Sequence, residues 1–171
     1  EIIAISRFTK SVVESQFPKL VENVSLNVIP RGVDIDIFNP LNVTQQRIIN
    51  EADRIGLPHD LPVVMLPARP ASWKGHVILL QALARLKHLD IACVLLGAGD
   101  TNTGYSEMLE KKSVELGLGA HVRITASTRD MPAALMLADV VVMPSIRPEP
   151  FGRVAIEAHA MGRPVVAFDH G

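Results

Sequence analysis

Cysteine is nearly absent from this chain of 171 residues: Cys93 stands alone, inside the apolar run IACVLL. A single thiol excludes an internal disulfide, fits a reduced cytosolic setting and reads as a small buried hydrophobe rather than a nucleophile. Aromatic residues are scarce at 4%, and the net charge is -1 with no basic block, so the electrostatic footprint of a nucleic-acid binder is missing. No apolar run approaches the roughly 18 residues needed to cross a bilayer, and Glu1 opens no signal peptide. The histidines, at 59, 76, 88, 121, 159 and 170, show no spacing with a carboxylate or cysteine that makes a metal site, so no metal is expected. Most read as surface or helix-end residues. His76 and His170 fall near strand ends, where they either line a cleft or face solvent, the latter being favoured. There is no internal repeat or low-complexity tract.

What the chain does have is apolar content, 48% of its residues, enough for a sizeable core in one domain or one domain plus a fragment. From Leu61 onward the pattern alternates: strands at 63–67, 91–96, 121–125, 139–143 and 164–168, with helices at 76–88, 105–117, 131–137 and 151–161 between them. Short, almost wholly apolar strands suit a parallel sheet covered on both faces, and right-handed crossovers make it a doubly wound, Rossmann-like α/β fold. With the common strand order 3-2-1-4-5, strands 63–67 and 139–143 are neighbours at the topological switch point, where ligands bind beyond the carboxyl ends. The first sixty residues differ: a strand at 1–6, a helix from Arg7 that Ser6 can cap, a strand at 26–30, the turn RGVD, and a helix from Thr44 to Ile55 stopped by Gly56 and Pro58. The chain closes on PVVAFDHG, a strand with no covering helix after it, and is expected to be an excised piece.

Two clusters lie at the ends of those neighbouring strands. In EPFGRVAIEAHAMGRPVV, Glu149 and Glu157 bracket seven residues. Glu149 sits between two prolines, which bias it to an extended conformation, and Pro150 suits the first position of a helix. No usual capping residue stands at 149, so the amides of Phe151, Gly152 and Arg153 are available to an outside anion. In VVMLPARPASWKGHVILL, Arg69 and Lys74 occupy the loop before a helix. Cations there oppose the helix dipole by roughly 0.3 to 1 kcal/mol each, and one bound diphosphate explains both better than helix stability does. The plain alternatives are a solvated loop for Arg69 and Lys74, a surface acid for Glu149, and a structural ion pair for Glu157. Two carboxylates also invite a glycosidase reading, but no sugar platform accompanies them and a phosphate cradle has no use in hydrolysis. Trp73 either packs under the loop or covers a ligand, packing being favoured.

These blocks resemble a family: the retaining glycosyltransferases of the GT-B fold, in the group called family 4 or glycosyl transferases group 1. Ile3 to Ser6, IPRGVD at 29–34 with FNP at 38–40, ARPASWKG at 68–75, LLGAGD at 95–100 and the block at 149–167 follow the family's order. GAGD alone is weak, since the full G-x-G-x-x-G is absent. Arg31 departs from the family's usual Asn in that turn. The resemblance implies a tail of an N-terminal acceptor domain at 1–29 and a nucleotide-sugar binding, Rossmann-like domain at 30–171, truncated at its C-terminus. It implies that Glu149 contacts the transferred sugar, Glu157 the nucleotide ribose, and Arg69 and Lys74 the diphosphate. Gly97 and Gly99 either let the backbone approach the donor or are plain turn glycines, and Thr125 to Ser127 border the base. It implies no cofactor beyond a nucleotide-diphosphate sugar donor, an acceptor sugar or lipid-linked glycan held by the other domain, cytoplasmic residence, open to peripheral attachment at the inner membrane face, and no turnover from this piece alone. A sugar epimerase of the same fold and a non-catalytic nucleotide-sugar sensor remain alternatives. The strand at 1–6, parted from its parent sheet, is expected to pack on apolar surface or swap into a second copy.

Overall fold

The computed structural model describes residues 1–58, 60–99 and 104–169. His59, His170 and Asp100, the last residue of LLGAGD, lie outside them. The chain opens with β1 (Ile2–Ala4), α1 (Arg7–Gln16), a short α2 (Pro18–Val21) and β2 (Leu26–Val28). The first strand is not left alone: β1 and β2 pair in parallel as a two-stranded sheet, Ile3 opposite Asn27. Ser6 does cap α1, its Oγ accepting the Thr9 amide at 3.0 Å. α3 (Gln45–Ile55) is capped by Thr44 and ends on Gly56 in the left-handed conformation, φ 67°.

Five strands then form one parallel sheet: β3 (Val63–Pro67), β4 (Ala92–Leu96), β5 (Val122–Thr125), β6 (Val140–Met143) and β7 (Val165–Ala167), in the order β5-β4-β3-β6-β7. This is the 3-2-1-4-5 order expected of the alternation. Between them run α4 (His76–Ala84), α5 (Gly104–Glu115), α6 (Met131–Met136) and α7 (Arg153–Ala160). The sheet carries a core on each face. Met65, Val94, Leu96 and Val141 pack with Leu135 of α6 and Ala158 of α7, while Leu66, Cys93 and Leu95 pack with Leu80 of α4 and Leu109 of α5. Burial on both faces is why the strands read as continuous apolar runs, and each fully buried Leu or Met contributes about 1.5–3 kcal/mol.

Two helices differ from the sequence expectation. α4 stops at Ala84 instead of reaching 88, because the hydrogen bonds tighten to three-residue turns, Arg85 N to Ala82 O and Leu86 N to Leu83 O. α7 begins at Arg153, not 151. Pro150 is therefore outside the helix, and Gly152, at φ 75° and ψ 52°, turns the chain into it through a left-handed step.

β3 and β6 lie side by side, Val64 opposite Val140 and Met65 opposite Val141. From β3 the chain crosses on the α4 face to β4, and from β6 on the α7 face to β7. The two departing loops therefore diverge above the carboxyl edge and leave a crevice there.

Candidate active site

The crevice is walled by the loop from β3 to α4 (68–75) and the loop from β6 to α7 (144–152). The first ends in a 3-10 turn, Ser72–Lys74, and then Gly75 at φ 79°. A Cβ on Gly75 would fall 1.9 Å from the Pro144 carbonyl oxygen, so glycine lets the loops meet backbone to backbone. Beside that contact the Ile146 amide donates to Trp73 O at 2.8 Å. This seam aims two side chains at each other: Lys74 Nζ meets Glu149 Oε1 at 2.5 Å. Ser145 Oγ donates to the same oxygen at 2.6 Å. The Lys74 ammonium also lies over the Trp73 ring, 4.2 Å from its centroid.

Glu149, Ser145, Phe151 and Gly152 line a cavity of about 180 Å³ with Met143, Ala155 and Phe168. A smaller crevice bounded by Ala68, Lys74, Ser145, Glu149 and Val154 adjoins it. No side chain caps α7, and the amides of Phe151, Gly152 and Arg153 find no acceptor among the described residues. The helix thus presents unsatisfied donors and the positive end of its dipole to this cavity. A second pocket of about 190 Å³, lined by Leu83, Leu86, Ile91, Leu118 and Val122 among others, opens at the opposite edge of β4 and β5. No carboxylate lines it, whereas Glu149 lines the first.

The structure pairs Lys74 with Glu149, and sets Glu149 with Phe151 and Gly152 on the larger cavity, which Lys74 itself does not line. Arg69 follows Ala68 on the crevice rim, exposed and without an ion pair among the described residues. Glu157 is only 6% exposed and is engaged by its own helix, Arg153 donating to Oε1 through Nε at 3.2 Å and Nη2 at 2.9 Å. A group that binds through Glu157 must share that carboxylate with Arg153.

Gly97, Gly99 and Thr125 form a separate cluster at the ends of β4 and β5. The amides of Gly97 and Gly99 both donate to Thr125 O, at 2.9 and 3.0 Å. A Cβ on Gly99 would stand 3.0 Å from the Thr125 carbonyl carbon, and one on Gly97 3.2 Å from Ala68 O. The close backbone approach at these glycines is thus to neighbouring loops, tying the β4 end to the Arg69 loop. Thr125 Oγ1 is buried with no partner among the described residues.

Three residues escaped sequence reasoning. Ser145 is a small hydroxyl directly after a buried strand, and nothing in its spacing reveals that the chain folds back to set it against Glu149. His76, expected in solvent or at the cleft, is fully buried beneath the loop it follows. Its ring meets Tyr105 edge-on at 5.7 Å. Burial holds its pKa below the ordinary value, the Ala68 and Ala71 backbone opposes that shift, and the Lys74 charge adds to it. A neutral imidazole therefore underpins the Arg69 loop. Thr9 is the third: its Oγ1 donates to Pro150 O at 3.3 Å, joining the first helix to the Glu149 loop. Among the described residues no three His, Cys, Asp or Glu side chains gather as a metal site, and no helix is long and apolar enough to cross a membrane.

The profile of the family described as glycosyl transferases group 1 matches residues 48–171. The chain belongs to that family. Among curated group 1 relatives, a D-inositol 3-phosphate glycosyltransferase of Catenulispora acidiphila is 36% identical over 151 residues, covering 83% of this chain and 35% of its own length. The corresponding enzyme of Xylanimonas cellulosilytica is 37% identical over 147 residues, with 83% and 34% covered. This chain therefore spans about a third of such relatives. Among solved structures, a glycosyltransferase from Rickettsia africae superposes with a TM-score of 0.91 at 29% identity, over 100% of this chain and 45% of that one. Anabaena HepE, solved with UDP-glucose, gives 0.81 at 29% identity over 99% and 44%. The five-stranded parallel sheet is thus the Rossmann-like, C-terminal part of a GT-B fold.

Proposed function

We propose that this chain is the donor-binding part of a glycosyltransferase that moves a sugar from a nucleoside diphosphate sugar to an acceptor with retention of configuration. The observation that carries the reading is that Glu149 joins two adjoining spaces, pairing with Lys74 in the smaller crevice and lining, with Phe151 and Gly152 at the uncapped start of α7, the larger cavity beside it. Since the chain spans about a third of its curated relatives, transfer is proposed for the whole protein and donor binding for these residues.

As the bond from the sugar to the diphosphate breaks, negative charge grows on the leaving group. Lys74, the α7 amides and the exposed Arg69 stabilise that charge, and do so most where it is largest, in the transition state. Glu149 Oε1 already carries Lys74 and Ser145, which leaves Oε2 for a hydroxyl of the transferred sugar. Glu157 takes the ribose hydroxyls, sharing its carboxylate with Arg153. HepE, a relative in fold and sequence, was solved with UDP-glucose, which favours a UDP-sugar as donor. Retention rests on family likeness, and the acceptor is assigned to the facing domain.

Calorimetric titration of the protein with UDP, GDP and ADP and their glucose conjugates tests the reading. Saturable binding of one nucleotide, with UDP preferred, is expected. No heat with any of them at millimolar concentration overturns it.

A further inference from the structure

We propose that Ser145 is a positioning residue for Glu149: its hydroxyl holds the carboxylate in place when a bound diphosphate draws Lys74 away. The proposal rests on the donor-site reading above and deepens it. Two donors converge on one oxygen, Lys74 Nζ at 2.5 Å and Ser145 Oγ at 2.6 Å from Glu149 Oε1. A diphosphate competes for the ammonium with several charged oxygens against one carboxylate, and the four-carbon lysine stem lets it follow. The hydroxyl of Ser145 is neutral, so the diphosphate offers it no comparable attraction.

Ser145 is also held where Lys74 is not. It is 3% exposed. Its predecessor Pro144 is wedged against Gly75, and its successor Ile146 donates to Trp73 O at 2.8 Å. Both neighbours of Ser145 are thereby held against the opposite loop, which leaves its Oγ the freedom of little more than one torsion. Pro148 and Pro150 restrain the backbone of Glu149, but its side chain keeps three torsions. A short, partly buried, charge-assisted hydrogen bond is what removes that freedom without adding charge next to the diphosphate. No hydrogen bond or ion pair among the described residues engages Glu149 Oε2, so a carboxylate pinned by Oε1 presents one oriented acceptor to the sugar.

The readout is the ratio of UDP-glucose to UDP affinity, measured by calorimetry on wild type, Ser145→Ala, Ser145→Cys and Ser145→Thr. UDP lacks the sugar that Glu149 orients, so Ser145→Ala should keep UDP affinity within about twofold and lose on the order of tenfold for UDP-glucose. Ser145→Thr, which keeps a hydroxyl, should retain the wild-type ratio. Ser145→Cys, with a weak donor of similar size, should fall between and serves if the alanine variant does not fold. An unchanged ratio in both Ala and Cys variants overturns the proposal, including the case where both ligands weaken equally, as a general loosening of the site predicts. Absence of UDP binding by the wild type is a different failure: it removes the donor-site reading, and this proposal with it.

Discussion

Replacing Gly75 by alanine tests whether the two loops depend on direct backbone contact. The new Cβ would lie 1.9 Å from Pro144 O and 2.7 Å from Pro144 C, where an ordinary contact needs more than 3 Å, so the loops must part by over an ångström. Neither neighbour is a flexible side-chain tip. An L-residue at φ 79° adds about 1–2 kcal/mol of backbone strain. Parting the loops also strains the Ile146 to Trp73 hydrogen bond, worth about 1 kcal/mol net. The sum is about 2–3 kcal/mol, which corresponds to roughly 4–12 °C in melting temperature for a domain of this size. Gly162→Ala supplies the control: Gly162 has φ 68° but nothing within 4 Å of an added Cβ, so it should show the backbone strain alone. Thermal unfolding of both variants, with UDP titration alongside, separates the two contributions. Gly75→Ala is expected to melt several degrees below Gly162→Ala and to bind UDP at least tenfold more weakly, since Lys74 moves with the loop. Equal melting temperatures and wild-type UDP affinity would refute the reasoning.

Asp130 caps α6 through the Ala133 amide at 3.1 Å and takes both Nε and Nη2 of Arg47 at 2.7 Å. Removing it as Asp130→Ala should cost about 1–2 kcal/mol in urea unfolding. The Arg47 hydrogen bond holds the Asp130 pKa below its ordinary value, so its stabilisation is present above the unfolded carboxylate pKa and is lost as pH falls through the depressed folded value. Asp130→Asn should therefore flatten the acid limb of stability against pH, and an unchanged limb counts against this assignment. Burial pushes the Cys93 thiol up to about 12, so an aromatic disulfide reagent near about pH 8 should label it only after unfolding; rapid labelling of the native protein contradicts its place in the core.

The sheet was legible because burial on both faces leaves each strand almost wholly apolar, and β4, buried at every position, shows this most plainly. The strand order is the one common among doubly wound sheets, and Ser6 and Gly56 announced helix ends through local chemistry alone. The start of α7 was misjudged because Pro150 suits a first helical position as well as the turn it occupies, and the left-handed step at Gly152 has no local signal beyond glycine itself. Lys74 and Glu149 could be brought to one crevice from the order of strands. That Ser145 shares their oxygen, and that His76 is buried under the same loop, depend on long-range closure, which residue spacing does not encode. Glu157 shows the same limit from the other side: its i,i+4 spacing from Arg153 was on view, and only the fold reveals that the pair forms.

The most direct test of the account is a crystal structure of the protein with UDP bound. The diphosphate is expected in the cavity lined by Glu149, Phe151 and Gly152, within hydrogen-bond distance of Lys74 Nζ and of the amides at the start of α7. Ser145 should remain on Glu149 while the ammonium turns to the ligand. A diphosphate bound elsewhere on the sheet edge, with Lys74 still closed on Glu149, would contradict the account.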